Sequence, residues 1–104
     1  MPTIYVMAFL PLTHSVIYLL VDPTDGMIRY VGTSKNPNTR LKEHLREVDG
    51  DSDLKVWIRS LQAIKQNPLM VILDTAPSTE AEVIEMKWIQ HFDRFGYLYN
   101  NRKK

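Results

Sequence analysis

The clearest early pattern is VIYLLV at 16–21, β-branched and aromatic, followed by PTDG at 23–26 and a second extended run, MIRYVG, at 27–32. That succession predicts a β-hairpin closed by a few turn-forming residues. Pairing Val21 with Met27 sets Tyr18 opposite Tyr30 on one face, within side-chain reach. A slip of one residue would send the two rings to opposite faces, so the register carries the consequence.

Past Gly32 the apolar period lengthens. Leu41, Leu45 and Val48 recur at helical spacing, with Asn36 placed to cap and Pro37 at the first helical position. Arg40 and His44, four residues apart, stack along one edge of that stripe. After a Gly/Asp/Ser-rich break at 49–53, a second helix is predicted from about Asp53 to Gln66. Its apolar face is Leu54, Trp57, Ile58, Leu61 and Ile64, and Pro68 stops it. LMVILD at 69–74 reads as a buried strand. Ser78 or Thr79 then caps a third helix, with Thr79 and Glu82 spaced as a capping box.

The third helix breaks its own pattern. Ala81, Ile84, Trp88, Ile89 and Phe92 form its apolar stripe, and at about 100° per residue Glu85 falls in the middle of it. A carboxylate on a packed face is unfavourable unless it is paired, hydrogen-bonded or bound to a metal. An ion pair with Arg40, a hydrogen bond to a tyrosine and a divalent cation are the three candidates.

Composition narrows the classes. The 104 residues suit one domain, 1–104, with 1–14 as an extension or an added edge strand over Thr3 to Leu12. At 44% hydrophobic and 24% charged, the chain has the balance of an ordinary globular protein. It contains no cysteine, which excludes a disulfide framework and a thiolate metal site and fits a reducing, cytoplasmic setting. The opening MPTIYVMAFLPLTHS lacks a basic start and a small-residue cleavage site, and its apolar run is too short to span a bilayer. A net charge of +1 does not announce a nucleic-acid binder. Its distribution does more: Arg29, Lys35, Arg40, Lys42 and Arg46 gather in one stretch, and Arg102, Lys103 and Lys104 close the chain.

With these elements in place, several residues line up with a known pattern. VIY at 16–18 and YVG at 30–32 resemble the two signature tripeptides of the GIY-YIG nuclease superfamily. Arg40, eight residues past Gly32, stands where that family has its catalytic arginine, and His44 where many members carry a histidine. EAEVIEMKWI at 80–89 resembles the family's A-x-x-x-E-x-x-x-I helix, with Glu85 as its metal-binding glutamate. YN at 99–100 resembles the terminal motif, with Asn100 as its asparagine. Two positions depart from the pattern: Val16 replaces the first glycine, and Thr33 replaces the lysine of the excision-repair members.

The resemblance implies an α+β fold, a three-stranded antiparallel sheet flanked by three helices in the order β-β-α-α-β-α. It implies metal-dependent hydrolysis of DNA phosphodiesters, with Mg²⁺, or Mn²⁺ in its place, held by Glu85. Arg40 would then bind the scissile phosphate. Tyr18 would be the general base. A free phenol, with a pKa of about 10, needs help such as His44 accepting its proton. Tyr30 would position water or bind phosphate, and Asn100 would orient a phosphate or brace the site.

Plainer readings stand beside these. The tyrosines could be cross-strand packing, Arg40 and His44 surface residues, and Asn100 a turn residue. Trp57 and Trp88 are expected in the core, and His14 and His91 as structural or exposed. For the whole chain the alternatives are a DNA-binding or regulatory module that keeps the fold without the reaction, and a nuclease subunit or homodimer that takes its specificity from a partner.

Overall fold

Strand β1 (His14–Val21) is apolar at almost every position because both of its faces are covered. Side chains alternate across a strand. Val16, Tyr18 and Leu20 therefore pack on one side with Trp57, Ile58 and Leu61, while Ile17 and Leu19 pack on the other with Val31 and Ile89. Each such side chain contributes about 1.5–3 kcal/mol when taken fully out of water. The computed structural model describes residues 14–94 and 98–100. The segment expected over Thr3 to Leu12 lies outside the described residues, as do Arg102, Lys103 and Lys104.

Around β1 the elements follow in the expected order: β2 (Ile28–Ser34), α1 (Pro37–Arg46), α2 (Asp53–Ala63), β3 (Leu69–Pro77) and α3 (Ala81–Asp93). The sheet is antiparallel with order β2-β1-β3. Helices α1 and α2 cover one face through Leu41, Leu45 and Leu54, and α3 covers the other through Ile84, Trp88 and Phe92. Trp57 is a core residue, its indole N–H donating to Asp22 Oδ2 at 2.9 Å. No helix among the described residues is long and apolar enough to cross a membrane.

The hairpin register differs from the expected one. Tyr18 pairs with Gly32 and Tyr30 with Leu20, so the tyrosines are diagonal neighbours on the same face rather than directly opposite. Two local features account for the change. The loop closes one residue later on the first strand, with Asp22 N–H donating to the Met27 carbonyl at 2.8 Å, and a bulge between Leu20 and Val21 leaves Arg29 unmatched. Gly26, at φ 74°, makes the reversal that a side chain would strain.

Three other expectations are corrected. β3 is an edge strand rather than a buried one, and Leu69 and Val71 are 53% and 44% exposed because α3 does not reach over them. Helix α2 stops at Ala63, short of Gln66. Lys65 takes a left-handed φ of 62° and the Gln66 N–H turns back to the Leu61 carbonyl at 2.9 Å, leaving Ile64 exposed. The cap of α3 is Glu80, with no side-chain bond to the helix, and Ser78 Oγ instead lies 3.0 Å from Ser15 Oγ on β1. Helix α1 keeps its expected start, Asn36 Oδ1 accepting from Thr39 N–H ahead of Pro37.

Candidate active site

The diagonal pairing places both phenols on the face of the sheet covered by α1. Tyr18 is completely buried, and its ring lies directly over Gly32. A Cβ on Gly32 would sit 2.5 Å from Tyr18 Cζ and Oη and 2.8 Å from Tyr30 Cε2. Glycine at this position is therefore what lets the two rings approach, with centroids 6.2 Å apart.

Helix α1 brings His44 and Arg40 to the same place. His44 meets both rings edge-on, 5.9 Å from Tyr18 and 5.4 Å from Tyr30, and its Nε2 is 2.7 Å from the Tyr18 hydroxyl. Burial, reinforced by the Arg40 guanidinium, lowers the His44 pKa from 6.5 to about 4. The imidazole is thus neutral at pH 7, and in the tautomer with its proton on Nδ1 the Nε2 accepts from the phenol. Burial also pushes the Tyr18 phenol up from its ordinary value, with the Tyr30 phenol adding to this and Arg40 opposing it.

Arg40 donates to Glu43 Oε1 at 3.0 Å and remains partly open to solvent. Its approach to the Tyr18 hydroxyl, and then its contact with Glu43, hold the guanidinium firmly protonated. Tyr30 stands between this cation and Glu85. Burial raises its phenol, the Glu85 charge raises it further, and Arg40 pulls the other way.

Glu85 projects from the middle of the α3 stripe, half-buried, and makes no hydrogen bond or ion pair among the described residues. Burial raises its pKa, the neighbouring Glu82 adds to the rise, and Arg40 opposes it. Of the three candidate partners, Arg40 pairs with Glu43 on its own helix. Instead Glu85 lines a cleft of about 690 Å³ together with Tyr30, Glu82, Met86, Tyr99 and Asn100. A smaller recess of about 160 Å³, on the far side of Tyr30, is lined by Arg40, Glu43 and His44.

The terminal motif meets the sheet from outside. The Tyr99 N–H donates to the Arg29 carbonyl, and the Asn100 side chain clamps Val31, accepting from its N–H at 3.0 Å and donating to its carbonyl at 2.8 Å. Tyr99 also packs against Trp57, and the Arg29 guanidinium lies over the Tyr99 ring. The segment covers the outer edge of β2 and holds the strand that carries Tyr30.

Five of the six candidate residues, Tyr18, Tyr30, Arg40, His44 and Glu85, thus converge, and Asn100 supports them. Val16, which stands in place of a glycine, spends its side chain in the core. Sequence reasoning passed over Lys55, which lines both the cleft and the recess. Its one sequence signal is a cation set just after the acidic run Asp49, Asp51 and Asp53.

A half-buried carboxylate with no hydrogen-bonding partner among the described residues, opening on a cleft, suits a hard divalent cation. No group of three or more His, Asp or Glu side chains converges anywhere among the described residues, the Glu85 cleft included. Residues 14–100 match the family model of the GIY-YIG catalytic domain. No significant match to a curated protein or to a solved structure was found.

Proposed function

The chain belongs to the GIY-YIG family of catalytic domains, and from that premise we propose that it is a metal-dependent endonuclease hydrolysing DNA phosphodiester bonds. The observation that carries the reading is the convergence of Tyr18, Tyr30, Arg40 and His44 beside a cleft lined by Glu85, which has no partner among the described residues.

Glu85 would hold the cation, Mg²⁺ or Mn²⁺, as its one protein ligand, leaving other positions to water and phosphate. A cation bound there supplies charge neutralisation at the phosphate and acidifies nearby water. Arg40 carries a fixed positive charge and donates to the scissile phosphate as negative charge builds on it, exchanging Glu43 for the substrate.

The exposure of the two tyrosines favours Tyr30 over Tyr18 for the base. Tyr18 is closed off from solvent, whereas Tyr30 lines both the cleft and the recess. Tyr30 therefore takes the proton of the attacking water and passes its own to Tyr18, and Tyr18 delivers its proton to His44 Nε2. The new P–O bond forms as the opposite P–O bond breaks, and the departing oxygen collects a proton from solvent. His44, kept neutral by its surroundings at pH 7, begins each cycle as an acceptor. No phenolate needs to accumulate, which answers the high phenol pKa that burial raises further.

The test is nicking of supercoiled plasmid by the purified chain with Mg²⁺, with Mn²⁺ and with chelator, beside Arg40→Ala. Metal-dependent nicking that Arg40→Ala loses supports the reading. Absence of nicking on supercoiled, branched and single-stranded DNA would turn it toward a binding module or a partner-dependent subunit. The lack of cysteine supports a reducing compartment such as the cytoplasm as its setting.

A further inference from the structure

The wall between the Glu85 cleft and the Arg40 recess is built from the three residues that line both, Tyr30, Leu54 and Lys55. Lys55 comes from the first turn of α2 and is half-buried. Its ammonium donates to the Asp49 carbonyl at 3.1 Å. An ammonium has three donors, so two remain for another acceptor. Arg29, Arg40 and Arg46 each have a carboxylate within 4.0 Å, but Lys55 makes no ion pair among the described residues. In the larger cleft it is the one cation among the described lining residues, set opposite Glu82 and Glu85.

An exposed ammonium on a half-buried side chain, with free donors and no carboxylate partner among the described residues, placed where two parts of one groove meet, is suited to an anion that crosses between them. We propose that Lys55 anchors the phosphate next to the scissile one, on a nucleic-acid strand running from the Arg40 recess into the Glu85 cleft. The inference rests on the nuclease reading above. Each strand carries a charge about every 3.4 Å along the duplex axis. On a strand whose scissile phosphate lies at Arg40, a neighbouring phosphate would follow toward the wall where Lys55 lines both cavities. Lys55 sets the position of the backbone in the groove and reads no base, so its contribution is independent of sequence.

The experiment is anisotropy of a fluorescently labelled DNA duplex with the full chain in chelator, over a series of salt concentrations. It compares the parent with Lys55→Ala, Lys55→Met, Lys55→Arg and Lys65→Gln, the last removing an exposed charge at the far end of α2. Lys55→Ala is expected to bind about tenfold more weakly, with the salt slope shallower by about one. Lys55→Arg should restore both, and Lys65→Gln should match the parent. Lys55→Met keeps the aliphatic stem, so it should bind like Lys55→Ala while melting like the parent. A parent that binds, with Lys55→Ala and Lys55→Met unchanged in affinity and slope, overturns the inference and leaves the nuclease reading standing. A parent that neither binds nor nicks DNA overturns the nuclease reading and the inference with it.

Discussion

The Tyr18 hydroxyl and His44 Nε2 are 2.7 Å apart, joining a fully buried residue of the central strand to a helix whose histidine burial keeps neutral. The bond couples the core to the chemistry, and its energetics have a definite sign. The His44 pKa falls from 6.5 unfolded to about 4 folded. Between those values the unfolded chain takes up the proton and the folded chain does not. The stability that depends on neutral His44 is complete above about pH 6.5, is lost as pH falls toward about 4, and is absent below. Melting followed from about pH 7 to about pH 4 should show this decline, and His44→Leu should flatten it.

His44→Leu also removes the acceptor of the Tyr18 O–H in the core, leaving Arg40 as the hydroxyl's neighbour, at a cost of about 1–3 kcal/mol. Adding Tyr18→Phe removes that hydroxyl and should recover much of that loss. Urea unfolding of the two single variants and the double variant measures the coupling. Additive losses would mean that the bond contributes little to the fold.

Gly32→Ala should be costly although the position needs no unusual backbone. The new methyl would meet Tyr18 and Tyr30 within 3 Å. Because both rings are held by packing and Tyr18 by His44, relief requires moving the strand, about 1–3 kcal/mol of overpacking. Lower melting together with loss of nicking is the expected outcome. A variant as stable and active as the parent would show that the rings have room to give.

The two tyrosines should separate on removal of their hydroxyls. Tyr30→Phe keeps the packing ring and should lose nicking, by roughly 10²–10⁴-fold, with melting nearly unchanged. Tyr18→Phe should lose nicking too, and should also shift the pH dependence of stability, because His44 no longer has its donor. Rates and melting curves on the same preparations decide this. Retained nicking in Tyr30→Phe would remove it from the proton path.

Asn100→Ala should act through stability. It breaks two hydrogen bonds to Val31 and uncovers the edge of β2, worth about 1–3 kcal/mol if the Val31 groups are left poorly solvated. DNA affinity measured below the melting range should change less than about twofold. A large loss of affinity with unchanged melting would place Asn100 on the phosphate instead.

The order and type of the elements were legible because the apolar period changes cleanly from strand to helix and back. Asn36 with Pro37 marks the start of α1 by itself. Glu85 was legible as a misfit on α3 before any resemblance was considered. The hairpin register was not, because it depends on where Asp22 closes the loop and on the bulge at Arg29, both set by backbone hydrogen bonds. VIYLLV and LMVILD look alike as apolar runs, yet one is the central strand and the other an edge. Thr79 and Glu82 fit a capping box in spacing, but the chain turns one residue later and Ser78 faces Ser15. The burial of Tyr18 behind Tyr30, and the place of Lys55 between cleft and recess, arise only when distant elements pack.

The most direct single measurement is plasmid nicking by Glu85→Gln beside the parent across a titration of Mg²⁺, with melting in chelator recorded on the same samples. Because burial and Glu82 raise the Glu85 pKa, its ionised form weakens the metal-free fold above its ordinary carboxylate range. The neutral variant should melt at or slightly above the parent, a difference kept small by solvent screening. The account predicts metal-dependent nicking in the parent and none in Glu85→Gln, with the variant folded. Nicking by Glu85→Gln equal to that of the parent, at the same metal concentrations, would contradict it.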